Sequence, residues 1–295
     1  MAHVEEGTVR VDGYRVWYRR VGSGGIPLLV LHGGPGAGHD YLEPLEALAT
    51  NNRPVVFYDQ LGCGRSDQPD DRSLWRMERF VAEVGTVRRA LGLVQIHLLG
   101  QSWGGWLAIE YMLTHPPGVV SLVLASTSAS IPQFVAEAAR LKAALPPEVY
   151  QTMQRHEASG DLHHPEYETA VLEFYKRHVC RLDPWPEPLL RTIRNLEGNA
   201  VYETMNGPNE FIVIGNLKDW DRTDRLGEIA VPTLITVGRY DEITPACAET
   251  MHRGIPHSQM RVFEQSAHTA HLEETEAYLQ IVAEFLARVE AEHGK

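Results

Sequence analysis

Positive charge is scarce in this 295-residue chain, which sets 27 Lys and Arg against 39 Asp and Glu for a formal net charge of −12. Such a chain lacks the electrostatic footprint of a nucleic-acid binder and is repelled by anionic membrane surfaces; cationic substrates suit it better. Cysteine is scarcer still. Cys63, Cys180 and Cys247 form no Cys-x-x-Cys pair and are odd in number. That argues against a disulfide framework and a zinc site, and for a reducing, cytoplasmic compartment. The opening residues, Met-Ala-His-Val-Glu-Glu, have neither a basic segment nor an apolar one, so no secretory signal is expected. The uncharged stretch Ala90–Ile109 has membrane-spanning length, but its glycines, glutamines, Ser102 and His97 exclude a membrane helix.

Repeats and low-complexity tracts are also missing, and the composition is that of a globular protein, 43% hydrophobic and 22% charged. Thr8–Val11 and Tyr14–Tyr18 alternate around Asp12-Gly13, the pattern of a β-hairpin. Ile26–Leu31, Pro54–Tyr58, Ile96–Leu99, Val119–Ala125 and Pro232–Val237 are unbroken apolar runs, as expected of strands buried on both faces. Amphipathic stretches such as Leu74–Leu91 and Trp106–Leu113 lie between several of them. Strands alternating with helices predict an α/β fold, a mostly parallel sheet with helices on both faces. The alternation stops after Ala125 and resumes near Val231. Between them, Phe134–Leu145, Glu148–His156, Tyr167–Val179 and Leu189–Leu196 carry helical spacing punctuated by prolines. The expected organisation is a core of residues 1–127 and 226–295 with a helical cap, 128–225, inserted into it.

Gly100-Gln101-Ser102-Trp103-Gly104 follows one of these strands and opens a helix. A sharp strand-to-helix turn needs small residues on both sides of a nucleophile, and it lifts the serine hydroxyl to the sheet edge where open α/β sheets place ligands. His32-Gly33-Gly34-Pro35-Gly36 follows the strand ending at Leu31. A tetrahedral oxyanion needs two backbone N–H donors; Gly34 of this loop and Trp103, the residue after the nucleophile, are the candidates. A phosphate loop would require Gly-Lys-Ser/Thr or dinucleotide glycine spacing, and neither is present. A serine nucleophile also needs a base and an acid that orients it, in the chain order Ser, Asp, His on such a core. Asp241 follows the strand ending at Val237, and His268 follows Gln259–Phe263; His271 is a rival base three residues on. Asp59–Ser66 reads as a turn packed near the site. His163-His164 lacks a third ligand at suitable spacing, so no metal is expected there, and the chemistry requires no cofactor.

These motifs resemble the prolyl iminopeptidase family of α/β-hydrolases, in particular its shorter members related to the tricorn-interacting aminopeptidase. The resemblance rests on His32–Gly36, Tyr58–Ser66, Gly100–Gly105, Gly238–Glu242 and Ser266–His268, with Met205–Phe211 as a matching element in the cap. It implies an α/β-hydrolase core with an inserted helical cap. It also implies that Glu210 and Glu242 bind the free amine of a peptide, which is sensible because two carboxylates neutralise an ammonium and fix the carbonyl that Ser102 attacks.

The expected activity is that of a serine aminopeptidase releasing an N-terminal residue, proline or another, often apolar, from short peptides through an acyl-enzyme. An esterase, lactonase or amino-acid amidase on the same Ser-His-Asp core is the alternative, and it would differ in the pocket. A dehalogenase or epoxide hydrolase would carry Asp at the position of Ser102. A noncatalytic binding protein would have no use for the complete Ser102, Asp241 and His268 set. The expected ligand is thus a small peptide, amide or ester, with neither nucleic acid nor membrane as partner.

Overall fold

A computed structural model describes residues 3–293. Its centre is an eight-stranded sheet in the order β1-β2-β4-β3-β5-β6-β7-β8. The hairpin predicted around Asp12-Gly13 is longer than its alternating residues suggest: β1 (Val4–Val11) pairs antiparallel with β2 (Tyr14–Val21) from Val4↔Val21 to Val11↔Tyr14. β2 pairs antiparallel with β4 (Val55–Tyr58), and every later pairing is parallel. β3 (Leu28–Leu31), β4, β5 (Ile96–Gln101), β6 (Val119–Ala125) and β7 (Thr233–Gly238) are buried along their whole length. Helices on both faces leave no polar side for these strands, and their sequence is accordingly apolar without alternation. The edge strand β8 (Ser258–Phe263) is half exposed and carries Gln259 and Arg261.

On one face, α1 (Met77–Ala90), α2 (Trp103–Met112) and α8 (Pro245–Gly254) bury Phe80, Val84, Leu107 and Met251 against the sheet. On the other, the 3-10 segment Asp40–Leu48 and α10 (Thr275–His293) cover Leu28, Val30 and Val123 with Leu45, Val282 and Leu286. The short α9 (Ala270–Glu273) lies between β8 and α10.

Five helices occupy the chain between β6 and β7: α3 (Ile131–Ala143), α4 (Pro147–Ser159), α5 (Pro165–His178), α6 (Glu187–Leu196) and α7 (Ala200–Met205). Proline sits in the first turn of α3, α4, α5 and α6, where its missing N–H costs no hydrogen bond. Trp106 of α2 joins this layer to the sheet layer. Its ring lies 6.2 Å from Phe134 of α3 and 6.1 Å from Trp220, while its indole donates to Ser128 Oγ at 3.1 Å. No helix among the described residues is long and apolar enough to cross a membrane.

Candidate active site

The turn between β5 and α2 holds Ser102 at φ 56° and ψ −124°, a conformation that L-residues adopt only when their surroundings enforce it. The glycines of the motif are what permits it. A Cβ on Gly100 would stand 2.1 Å from the Gly104 carbonyl oxygen, and one on Gly104 would stand 2.1 Å from that of Leu31. The Ser102 N–H donates to the Ala125 carbonyl at 3.0 Å, and its own carbonyl accepts from Gly105 N–H and Thr127 Oγ1. The hydroxyl is thereby carried to the C-terminal edge of the sheet, onto the wall of a cavity of about 650 Å³.

Gly34 also lines this cavity, at φ 107° in the loop leaving β3. Trp103 is the first residue of α2, so its N–H has no acceptor within the helix. Its fully buried indole donates to Gln60 Oε1 at 2.8 Å. Gln60 extends this tie: its Nε2 donates to the His32 carbonyl and its N–H donates to His32 Nε2, each at 3.0 Å. The turn after β4 therefore clamps the Gly34 loop to the start of α2, and burial keeps the His32 ring below its ordinary pKa. Asp59 closes the same turn on itself, accepting from His39 N–H and Nδ1 and from Arg65 N–H.

Asp241 stands just past the end of β7, and His268 on the loop after β8. Adjacent parallel strands bring both to one edge. His268 Nδ1 donates to Asp241 Oδ1 at 2.8 Å, and that oxygen also accepts from Ile243 N–H at 2.9 Å. Burial lowers the basicity of His268, but the charge and hydrogen bond of Asp241, with Glu242 and Glu210 beyond, outweigh it and raise the pKa to about 9. His271 is placed elsewhere. Its Nε2 donates to the Tyr41 carbonyl at 3.0 Å, and burial pushes its pKa down to about 3.

Glu210 and Glu242 line the same cavity from opposite layers. Glu210 is held by a turn that Asn206 and Asn209 shape: Asn206 Nδ2 donates to the Asn209 carbonyl, and Asn209 Oδ1 accepts from Ile212 N–H. Its Oε1 accepts from Tyr202 of α7 at 2.7 Å. Glu242 is 1% exposed, and its Oε2 has no hydrogen-bond partner. Burial and then the charge of Glu210 push the Glu242 carboxyl well above the usual carboxylate range; burial raises Glu210 as well. Two desolvated carboxyl groups thus face one cavity. The rest of the wall is apolar, with Val179, Trp185, Leu189, Ile193 and Ile214.

Of the seven residues singled out in the sequence, Gly34, Ser102, Glu210, Glu242 and His268 line the cavity, Asp241 holds His268, and Trp103 follows Ser102 at the start of α2. Tyr41 and Gln101 were missed as a connecting pair. Tyr41 Oη accepts the Gly33 N–H at 2.8 Å and donates to Gln101 Oε1, and Gln101 Nε2 donates to the His268 carbonyl at 3.2 Å. Nothing in local sequence marks Tyr41; only the fold sets its 3-10 segment beside the loop. Tyr202 was missed for the same reason.

A mostly parallel sheet with helices on both faces and a serine elbow defines the class, and the α/β hydrolase fold family matches residues 26–275. The proline iminopeptidase of Saccharolobus solfataricus is 44% identical over 97% of this chain and 94% of that protein. That of Heyndrickxia coagulans is 44% identical over 95% and 98%, respectively. The crystal structure of Mycobacterium smegmatis proline iminopeptidase matches with a TM-score of 0.92 at 38% identity, covering 98% of this chain and all of that one. The chain belongs to the proline iminopeptidase family of α/β hydrolases.

Proposed function

We propose that the protein is a serine aminopeptidase that releases the N-terminal residue of short peptides, proline or another apolar residue, through an acyl-enzyme. The observation that carries this reading is the buried Glu242 carboxyl group, one oxygen of which has no partner, facing the same cavity as Glu210, Ser102 and His268. A general esterase has no need of two desolvated carboxylates there, whereas a peptide amino terminus supplies the missing cation. Anchoring the ammonium at these carboxyl groups sets the first residue's carbonyl against Ser102 in the same cavity. Its side chain rests on the apolar wall.

In this mechanism His268 takes the Ser102 proton as the hydroxyl attacks the carbonyl carbon. Asp241 holds the imidazole in the Nδ1–H tautomer and stabilises the imidazolium. The N–H groups of Gly34 and Trp103 bind the oxyanion. His268 then protonates the departing amine, and a water molecule, deprotonated in turn by His268, releases the amino acid and restores Ser102. Residues 128–225 act as the cap that supplies Glu210 and the apolar wall, over the core of 1–127 and 226–295. The three cysteines are free and buried, which supports a reducing, cytoplasmic setting.

The test compares kcat/KM for a free-amine amino-acid anilide, its N-acetyl counterpart and a small neutral ester, on wild type, Glu210→Gln and Glu242→Gln. The acetylated compound is cleaved far more slowly, because it leaves the carboxylates without their partner. Each glutamine variant weakens cleavage of the free-amine anilide and spares the ester. Equal rates on free and acetylated anilides, indifferent to both substitutions, would leave a general esterase or amidase in its place.

A further inference from the structure

The His163-His164 pair divides in the structure. His163 lines the mouth of the active-site cavity, while His164 caps α5 and turns to the end of α4. There it meets His156, in the last turn of α4, and Glu166, in the first turn of α5. One donor atom from each of the three lies within 4.8 Å of the others. The third ligand that chain spacing did not offer comes from the neighbouring helix.

We infer that this corner is a binding site for a divalent transition-metal ion such as zinc, held by His156, His164 and Glu166. Two imidazoles and a carboxylate are the donor set that zinc and its first-row neighbours select, and hard ions such as magnesium do not. Tetrahedral zinc with bonds of about 2.0–2.1 Å sets its ligand atoms roughly 3.4 Å apart. His156 Nε2 and Glu166 Oε2 already stand 3.6 Å apart. The His156 and His164 rings are stacked, 4.5 Å apart, so the half-buried His164 ring must turn about its side-chain bonds to aim its lone pair at the metal that His156 and Glu166 face. His156 is buried, and its other nitrogen, Nδ1, points to Asp161 Oδ2 at 3.7 Å. That separation is longer than a hydrogen bond; the exposed Asp161 side chain has to close it before it orients the ring as a carboxylate behind a ligating imidazole does.

A second observation marks the spot as one that attracts a cation. The Arg155 guanidinium sits on it, with Nη2 2.6 Å from Glu166 Oε2 and 3.4 Å from His156 Nε2. Arg155 is 59% exposed, so it can leave for solvent when a metal arrives. The C-terminal end of α4 favours positive charge there, and Glu166 and Glu168 offset the opposite effect of the α5 N-terminus. Loading has a structural consequence. His164 Nδ1 now accepts the Glu166 N–H at 3.2 Å. A metal on either nitrogen removes that acceptor, either by using the lone pair directly or by requiring a proton on Nδ1. The cap of α5 is then released one residue away from His163 at the cavity mouth.

Equilibrium dialysis of the full chain against zinc, with magnesium in excess, reads the site directly. Relative to wild type, His164→Ala loses one bound equivalent, and Glu166→Gln weakens that equivalent about tenfold or more. Arg155→Ala tightens it about fivefold, because a competing charge is gone. Unchanged circular dichroism and Ser102 labelling by a fluorophosphonate verify that the variants fold. Zinc stoichiometry and affinity that are identical in wild type and His164→Ala, or weakened by Arg155→Ala, would overturn the site. Displacement of the zinc by magnesium would overturn the assigned metal class.

Discussion

His268 carries the pH dependence of the proposed reaction. As base it must be neutral, and three carboxylates hold its pKa at about 9 in the free protein. Activity on a neutral ester therefore rises with pH along a limb set by this group. A bound ammonium compensates Glu210 and Glu242, removes part of the negative field, and lowers the His268 pKa. The acidic limb of kcat for a free-amine substrate is thus expected at lower pH than the limb of kcat/KM, since the latter reports the free enzyme. Glu242→Gln takes away an acidic group that raises the His268 pKa and shifts the ester limb to lower pH; coincident limbs that are insensitive to Glu242 would refute this electrostatic account. At the same scale, Ser102→Ala keeps the fold and lowers turnover by about 10⁴-fold or more. His268→Ala abolishes fluorophosphonate labelling of Ser102, whereas His271→Ala, whose ring only donates to the Tyr41 carbonyl, reduces it weakly. The opposite ranking would transfer the base role to His271.

Three chain segments that never adjoin in sequence are held together by Tyr41 and Gln101. The hydroxyl of Tyr41, on the segment Asp40–Leu48, sets the Gly33 N–H and thus the loop that presents Gly34; Gln101, at the end of β5, sets the His268 loop. Tyr41→Phe leaves the Gly33 N–H buried without an acceptor, a loss of about 1–3 kcal/mol. If this loss falls on alignment of the oxyanion donors, kcat drops while KM for the free-amine anilide stays near wild type, because the amine anchor is untouched. A rise in KM at constant kcat would assign Tyr41 to substrate binding instead. The elbow itself tolerates no such adjustment: a side chain on Gly100 meets backbone at 2.1 Å, so the strand and helix cannot both keep their places.

Trp106 shows how the whole molecule is assembled, because one buried ring touches Trp103 beneath the site, Phe134 of α3 and Trp220 ahead of β7. Trp106→Ala opens a cavity between the two layers and costs about 3–5 kcal/mol. Urea denaturation is expected to show a lower midpoint, with KM raised because the layer bearing Glu210 loses its seat. An unchanged midpoint would mean that the layers do not depend on this contact.

The buried strands, the serine elbow, the glycine loop and the positions of Asp241 and His268 were all legible in the residues themselves. Each depends on a short-range rule: unbroken apolar runs for strands buried on both faces, small residues where backbones cross, and a fixed order of nucleophile, acid and base. The choice of His268 over His271 was weaker in sequence, since three residues separate them; the fold sets His268 against Asp241 and His271 against the Tyr41 carbonyl. Glu210 and Glu242 could be singled out only through resemblance, because a glutamate in a loop has no local signal of function. Their desolvation, their mutual repulsion and the lack of a partner for Glu242 arise only when the helical layer closes over the sheet. The same is true of Tyr41, Gln101 and Gln60, and of His156 with His164 and Glu166. Local sequence determines which backbone shapes and reactive groups are available. Burial and convergence, which tune their acidity and give them partners, depend on contacts between residues far apart in the chain, 167 positions for Gln101 and His268, and only the tertiary structure makes them.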